Sequence, residues 1–430
     1  MKQKIIDELK GKKILILGFG REGKSTYTFI KENKIDCVLG IADKNEIADK
    51  YILQDIRLKK HIGDNYLDSI YDYDLVIKSP GISFKGKKYD DVQYKITSQT
   101  ELFLKYGRSK VVGITGTKGK STTASLVYEM LKKKYRVMLV GNIGVPVFES
   151  IDKYDEIDIF IFELSSHQLE HAIYSPHVAV ILNMFEEHLD HYNSYEEYKE
   201  AKRNIFKYQK DTDCYILNTE MKDIILGNYV LKQNVISVEN EDIVIETKLI
   251  GKHNRYNINV AKKIAKLYEV EDRDVIEALQ NFKGLPHRLE YVGIYKGIHF
   301  IDDSIATIPE AAISAMESIE NIQTIILGGL DRGVDYSKLI NYIDKTNDIN
   351  VILMNDSGRK IYDRLDKNKV NKDKKIVFVD DLEEAVKEAY RLTKKNMVCV
   401  LSPAAASYGI FKNFEERGDK FKEYVKKYSK

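Results

Sequence analysis

The chain has 430 residues, 43% of them hydrophobic, and its 68 basic and 66 acidic side chains leave a formal charge of +2. That length allows about three domains of ~150 residues, and the balanced charge gives no footprint for nucleic acid or an anionic membrane surface. Three scattered cysteines, a polar N-terminus and the lack of any apolar run near ~18 residues exclude a disulfide scaffold, a secreted precursor and a membrane span. The expectation is a cytoplasmic protein with no membrane insertion and no nucleic-acid partner.

The first predicted strand runs from Lys13 to Leu17. Gly18-Phe19-Gly20-Arg21-Glu22-Gly23 follows, then a helix to about Glu32, then a strand from Cys37 to Ile41 leading to Asp43. This is a G-x-G-x-x-G turn with an acidic residue about 20 positions on, the pattern that seats a diphosphate on a helix N-terminus. A dinucleotide, a nucleotide or a nucleotide sugar would each fit it. A third strand, Leu75 to Lys78, ends in Ser79-Pro80-Gly81, which is either an ordinary turn or the ligand edge of a parallel sheet.

After a short helix comes the strand Lys110 to Ile114 and the loop Gly116-Thr117-Lys118-Gly119-Lys120-Ser121-Thr122. Leu126, Val127, Met130 and Leu131 then recur at helical spacing. Glycines let the backbone N–H groups converge on an anion at the helix N-terminus. Lys120 is placed for terminal phosphates, and Ser121 for magnesium. The spacing departs from the general P-loop rule, because Ile114 holds the usual glycine position and Gly113 lies one residue further back.

Strands follow at Arg136 to Val140, Asp158 to Phe162, Val178 to Leu182 and Cys214 to Leu217, alternating with helices. Asn142 and Glu163 fall just past two of these strand ends. A carboxylate there is placed to hold magnesium, although it could also cap Ser165 or Ser166. His188 reads as a loop histidine, and Lys202, on a helix from Ser194 to Gln209, as a solvent-facing lysine. Gly284-Leu285-Pro286-His287-Arg288 reads as a boundary loop. A last α/β segment has strands at His299 to Asp302, Gln323 to Leu327, Asn350 to Met354, Lys375 to Val379 and Met397 to Leu401. The expected domains are 1–97, 98–285 and 286–430.

Several pieces together resemble the Mur ligases, the ATP-dependent amide-forming enzymes of peptidoglycan assembly. They are the loop from Gly113 to Ser121, Gly141-Asn142-Ile143-Gly144, Glu163-Leu164-Ser165-Ser166-His167-Gln168-Leu169-Glu170 and His253-Asn254-Arg255-Tyr256-Asn257. Gly284 to Arg288, Leu401-Ser402-Pro403-Ala404-Ala405-Ala406-Ser407 and Phe411 to Gly418 complete the set. The resemblance implies an α/β chain of three domains: an N-terminal Rossmann-like domain for a UDP sugar, a central P-loop-type ATP-binding domain and a C-terminal Rossmann-like domain for an amino acid. It implies ATP and Mg2+ as cofactors, and UDP-N-acetylmuramoyl-L-alanine and glutamate as partners of a monomeric enzyme.

Carried across by motif, Gly18, Phe19, Gly20, Asp43, Ser79, Pro80 and Gly81 meet the UDP sugar, and Asn142, Ser165 and Gln168 its muramoyl-alanine end. Gly116, Thr117, Lys118, Gly119, Lys120, Ser121, Thr122, Asn257, His287, Arg288 and Asp303 meet ATP. Thr307, Arg332, Ser407 and Phe414 form the glutamate pocket. Ser121, Glu163, His188 and a carbamylated Lys202 hold metal, and Lys120, His188 and Lys202 are the catalytic set. The implied reaction adds D-glutamate through an acyl phosphate. Around the amino-acid pocket the chain departs from the family pattern: Ile305 and Arg332 stand where lysines are usual, Ala405 replaces a cysteine and Gly409 an aspartate. A sister ligase adding L-glutamate is the alternative within the family, and a P-loop NTPase without ligase activity the alternative outside it.

Overall fold

The computed structural model describes residues 1–430 except 48–51, 53, 87–88, 190, 243–244, 246, 248, 250–251 and 366–373. Asp190, two residues after His188 in sequence, and Gly251, two residues before His253, therefore lie outside the described residues. Two compact units are present, 1–243 with 256–278, and 244–255 with 279–430. Among the described residues, three sheets of five, six and six strands make the architecture α/β. Among the described residues no helix is long and apolar enough to cross a membrane.

The first unit carries two parallel sheets. One comprises β1 (Lys13–Leu17), β2 (Val38–Asp43), β3 (Lys59–Ile62), β4 (Leu75–Lys78) and β5 (Ile96–Thr97), in the order β3-β2-β1-β4-β5. Central β1, Lys-Ile-Leu-Ile-Leu, buries its last four residues, as a strand covered on both faces must. The other comprises β6 (Val111–Thr115), β7 (Val137–Gly141), β8 (Ile159–Glu163), β9 (Val178–Ile181), β10 (Cys214–Asn218) and β11 (Asn234–Val238), ordered β11-β10-β9-β6-β8-β7. From β6 the chain winds first toward β7 and β8, then crosses to β9. The carboxyl end of β6 is therefore a switch point, where open α/β sheets leave a crevice for ligands. One hydrophobic cluster runs through both sheets, with Phe29 packing on Phe148 at 4.7 Å between ring centroids. Residue 97 closes β5, and Ser98 then caps the helix Gln99–Gly107 by accepting from Glu101 N–H at 3.1 Å.

The second unit holds β12 (Glu290–Tyr295), β13 (Ile298–Asp302), β14 (Ile322–Leu327), β15 (Asn350–Met354), β16 (Ile376–Val379) and β17 (Val398–Leu401), ordered β12-β13-β17-β14-β15-β16. Only the β12–β13 pair is antiparallel among these ladders. Alternation along each strand feeds two cores. Ile301, Ile325, Leu327, Val351 and Leu353 face one cluster; Phe300, Ile326, Ile352 and Met354 face the other. A switch point lies between β14 and β17, and the loops that follow β13, β14 and β17 carry the amino-acid-pocket residues expected from sequence.

Four strands, β3, β5, β11 and β12, were not expected from the sequence, and all four are sheet edges. Lys59-Lys60-His61-Ile62 and Asn234-Val235-Ile236-Ser237-Val238 are largely exposed, so they carry little of the apolar signal by which buried strands are read. The motif ending at Asn257 lies on the helix Lys252–Leu267, so Asn257 is a helix residue.

Candidate functional site

The loop after β6 is a glycine-built turn. Gly116 has φ +153° and Gly119 φ +84°, and Gly119 caps the helix Lys120–Leu131. A side chain at Gly119 would press on the neighbouring amide, since its Cβ would sit 2.5 Å from Asn257 Oδ1. Asn183, just past β9, clamps the other side of the turn: its Oδ1 accepts from Lys118 N–H at 2.8 Å, and its carbonyl accepts from Thr117 N–H at 3.0 Å. Thr117 Oγ1 lies 2.8 Å from Tyr198 OH. Lys120 Nζ donates to the carbonyls of Gly116 at 2.9 Å and Thr117 at 3.1 Å, and so lies folded over the loop mouth. Lys118 Nζ pairs with Glu187 at 2.6 Å. Ser121 is buried and Thr122 half-buried at the helix start.

A strand-end carboxylate and a helix lysine approach this loop. Glu163 ends β8 opposite Ile114 of β6 and Gly141 of β7. Its Oε1 accepts from Asn142 Nδ2 at 3.0 Å, while Oε2 is buried with no hydrogen-bond partner among the described residues. Buried carboxylate oxygens are rarely left so, and a divalent cation would satisfy this one. Lys202, on the helix Tyr195–Lys207, is buried, with Nζ 3.0 Å from the Gly116 carbonyl and 4.8 Å from the Tyr198 ring centre. Burial, then the charge of Lys120, hold its pKa well below the usual lysine range; Glu187 and Glu163 oppose them. The reading of Lys202 as solvent-facing is thus corrected: Tyr198, Ala201 and Ile205 lie at helical spacing around it and are buried, so residue 202 shares their inward stripe. His188 sits at φ +60° on the loop after β9, 3.7 Å from Glu187 Oε2 and 4.8 Å ring to ring from His167. The His167 pKa is pushed down to about 4, first by burial and then by His191 and His188.

A cavity of about 480 Å³ opens between the two sheets of the first unit. Gly18, Gly20, Asp43, Ser79, Pro80, Gly81, Asn142, Ser165 and Gln168 all line it, so the structure gathers nine of the ten residues expected at the UDP sugar. The tenth, Phe19, is buried against Tyr27 and borders an adjoining cavity with Gly20 and Asp43. Gly18 has φ +89°, and a Cβ there would sit 2.9 Å from that of Ser79, whose Oγ donates to the Gly18 carbonyl at 2.8 Å. Asp43 spends both oxygens on the loop, accepting from Phe19 N–H at 2.7 Å and Asn45 N–H at 2.8 Å. Ser165 and Gln168 form a reciprocal capping box.

The second unit groups the remaining residues at the carboxyl ends of its strands. His287 Nδ1 is 2.7 Å from Asp302 Oδ2, and its ring lies 6.1 Å from that of Phe414. Asp303 accepts from Ser402 Oγ at 2.8 Å and Leu289 N–H at 3.2 Å, and burial raises its pKa to about 7. Arg288 is exposed, as is Arg332; Thr307 is half-buried and Ser407 buried. Leu330 N–H donates to the Ala406 carbonyl at 2.9 Å, joining the loops that carry Arg332 and Ser407. Of the expected nucleotide contacts, Asn257 belongs to the first unit and His287, Arg288 and Asp303 to the second. His287, Glu290 and Asp302 bring ligand atoms within 4.8 Å of one another, but Lys422 Nζ already sits 3.1 Å from Glu290 and 3.8 Å from Asp302.

Asn183, Tyr198 and Arg417 escaped the sequence reading. Arg417 is fully buried, donating to Ser304 Oγ at 3.0 Å, the Ser304 carbonyl at 2.8 Å and the Ala405 carbonyl at 3.0 Å. It ties the final helix to the loop holding Ile305, and burial lowers its pKa to about 10. For Tyr198 the signal was present, four residues before Lys202 on one helix face. Asn183 had none beyond its place after a strand.

Two family models match the chain: the Mur ligase middle domain over residues 114–230, and the Mur ligase glutamate ligase domain over 287–405. A UDP-N-acetylmuramoylalanine–D-glutamate ligase of Clostridium botulinum (strain Kyoto / Type A2) is 34% identical over 98% of both chains. The ligase of the same name from Acetivibrio thermocellus is 32% identical over 97% of both. Among solved structures, the MurF ligase of Thermotoga maritima in complex with ADP aligns at a TM-score of 0.55 and 16% identity, covering 98% of this chain and 97% of that one. The UDP-N-acetylmuramate-alanine ligase MurC of Thermotoga maritima aligns at 0.56 and 19%, covering 97% and 100%. At such identities the two structures speak to the shared fold.

Proposed function

This chain belongs to the Mur ligase family, and on that premise we propose that it joins D-glutamate to UDP-N-acetylmuramoyl-L-alanine at the expense of ATP, as a cytoplasmic monomer making peptidoglycan precursor. Similarity along nearly the whole chain to ligases of that name supports the substrates. The observation that carries the chemistry is the buried Lys202 amine beside the glycine loop, in the field of a carboxylate, Glu163, that has one oxygen unsatisfied. The domains proposed for these tasks are 1–97, 98–285 and 286–430.

In this reading the cavity lined by Gly18, Ser79 and Asp43 takes the nucleotide sugar, with its alanyl end toward Asn142, Ser165 and Gln168. The loop N–H groups from Gly116 to Thr122 hold the ATP phosphates, and Asn257 reaches the nucleotide. Lys120 leaves the loop carbonyls for the γ-phosphate and neutralises charge as that group passes to the alanyl carboxylate. Ser121 and Glu163 would hold one magnesium ion, and His188 with a carbamylated Lys202 a second; such ions would supply positive charge against the phosphate oxygens. An ammonium at Lys202 would repel them. Burial favours the neutral amine, the form that adds carbon dioxide with loss of one proton, and the resulting carbamate would be an anion suited to the site. His287, Arg288 and Asp303 serve the nucleotide, while Thr307, Arg332, Ser407 and Phe414 receive glutamate, whose amine displaces phosphate from the acyl phosphate. Arg332 keeps a positive charge where a lysine is usual, as a planar fork that can grip a carboxylate with two hydrogen bonds.

Mass spectrometry of a reaction containing ATP, magnesium, UDP-N-acetylmuramoyl-L-alanine and D-glutamate tests this directly. The expected product is the nucleotide sugar extended by one glutamyl residue, with one ADP formed per product. ADP formed without any extended sugar would favour an NTPase instead.

A further inference from the structure

Glu22 is a residue that the glycine-motif reading passes over. It occupies the second position of the helix Arg21–Glu32, behind the glycine turn, and its side chain lines the same cavity as Gln168, Ser165 and Asn142. Its Oε1 accepts from Gln168 Nε2 at 2.8 Å, across the boundary between the two sheets of the first unit. Gln168 Oε1 in turn accepts from Ser165 N–H at 2.9 Å and from Ser165 Oγ at 3.2 Å. Those bonds fix which way the Gln168 amide points. Glu22 Oε2 is buried and has no hydrogen-bond partner among the described residues. The two cations that act on Glu22 are engaged elsewhere: Arg21 donates to the Gly144 carbonyl, and Lys78 pairs with Glu170 at 3.2 Å. Burial raises the pKa of the carboxyl, against the Gln168 bond and the Arg21 and Lys78 charges.

An unsatisfied buried carboxylate oxygen on a residue that lines a ligand cavity calls for a donor. The diphosphate of a nucleotide sugar offers only acceptors and negative charge. The sugar–peptide end offers an acetamido N–H, an alanyl N–H and hydroxyl groups. We propose that Glu22 is a positioning and specificity residue for the sugar–peptide end of the substrate: Oε1 holds the Gln168 amide in place, and Oε2 accepts an N–H or O–H of the ligand. This rests on the nucleotide-sugar reading of the cavity given above.

Calorimetric titration of the full-length protein with UDP and, separately, with UDP-N-acetylmuramoyl-L-alanine tests it, for wild type, Glu22→Gln and Glu22→Ala. Glutamine is isosteric and can still accept from Gln168, but it turns the second oxygen into a donor. Both variants are expected to bind UDP within about twofold of wild type and the full substrate about tenfold more weakly or worse, the range of a hydrogen bond to a charged group. Wild-type affinity of Glu22→Gln for the full substrate would overturn the proposal, because a donor would then serve as well as an acceptor. Parallel loss of UDP and full substrate would overturn it too, by placing the effect at the diphosphate or in the fold. Wild-type protein that binds UDP but gains nothing from the sugar–peptide end would remove the nucleotide-sugar reading itself, and this proposal with it, before any variant is compared.

Discussion

Replacing Gly119 by alanine probes the joint between the phosphate loop and the helix carrying Asn257. At φ +84° an L-residue is strained by about 1–2 kcal/mol. The added Cβ would also lie 2.5 Å from Asn257 Oδ1 and 3.1 Å from its Nδ2, so that amide must swing away from the loop. Asn257 is buried, and moving a buried amide off its partners costs about a further 1–3 kcal/mol. If about 2 kcal/mol of the sum falls on the nucleotide-bound state, KM for ATP rises about 30-fold at 1.4 kcal/mol per decade. Steady-state kinetics with ATP varied, at saturating nucleotide sugar and glutamate, reads this out. KM for the nucleotide sugar should change little, since its cavity lies on other loops. An ATP KM within twofold of wild type would refute both the placement of Asn257 and the need for a left-handed residue at 119.

Lys120→Ala should abolish acyl-phosphate formation, measured as loss of ADP release, while UDP binding persists; ADP release near the wild-type rate would mean that Lys120 does not reach the transferring phosphate. Lys202→Ala should be nearly inactive and regain part of its activity with added short carboxylates, and full activity without them would remove Lys202 from the metal site. Glu170→Gln tests electrostatics within the first unit. Although burial acts to raise it, the His191 hydrogen bond and the Lys78 charge hold the Glu170 pKa down at about 2, against an ordinary 4.5. A lowered carboxylate pKa contributes stability above the unfolded value that is lost as pH falls toward the folded one. The shift corresponds to about 3 kcal/mol at pH 7, with about a quarter of it gone by pH 4. Hydrogen exchange over residues 166–192 should show Glu170→Gln destabilised at pH 7 and less so at pH 4; an equal deficit at both values would contradict the assignment.

The parts legible in the sequence are those whose signal is local. Gly116, Gly119 and the strand before them announce a phosphate loop because its backbone conformation demands those residues. Central strands such as β1 and β6 announce themselves because both faces are buried and nearly every residue is apolar. Edge strands such as β3 and β11 expose most of their residues, and their sequences read as loops. Lys202 shows the same limit from the other side. A lysine on a charged helix reads as solvated, and only the stripe of Tyr198, Ala201 and Ile205 betrays that it points inward. Glu22 was hidden inside a motif whose glycines drew the attention, because its value depends on Gln168, 146 residues away in the chain. The chain's departures at Ile305 and Arg332 were visible at once, but their consequence depends on which amino acid the second unit accepts.

The measurement that meets the central claim most directly is phosphate release with ATP, magnesium and UDP-N-acetylmuramoyl-L-alanine, with D-glutamate and L-glutamate supplied in parallel. The account predicts release that depends on D-glutamate and stays at background with the L-enantiomer, Ile305 notwithstanding. Release with L-glutamate alone would contradict the substrate assignment and leave the ATP chemistry standing. Release indifferent to either amino acid would contradict the ligase reading as a whole.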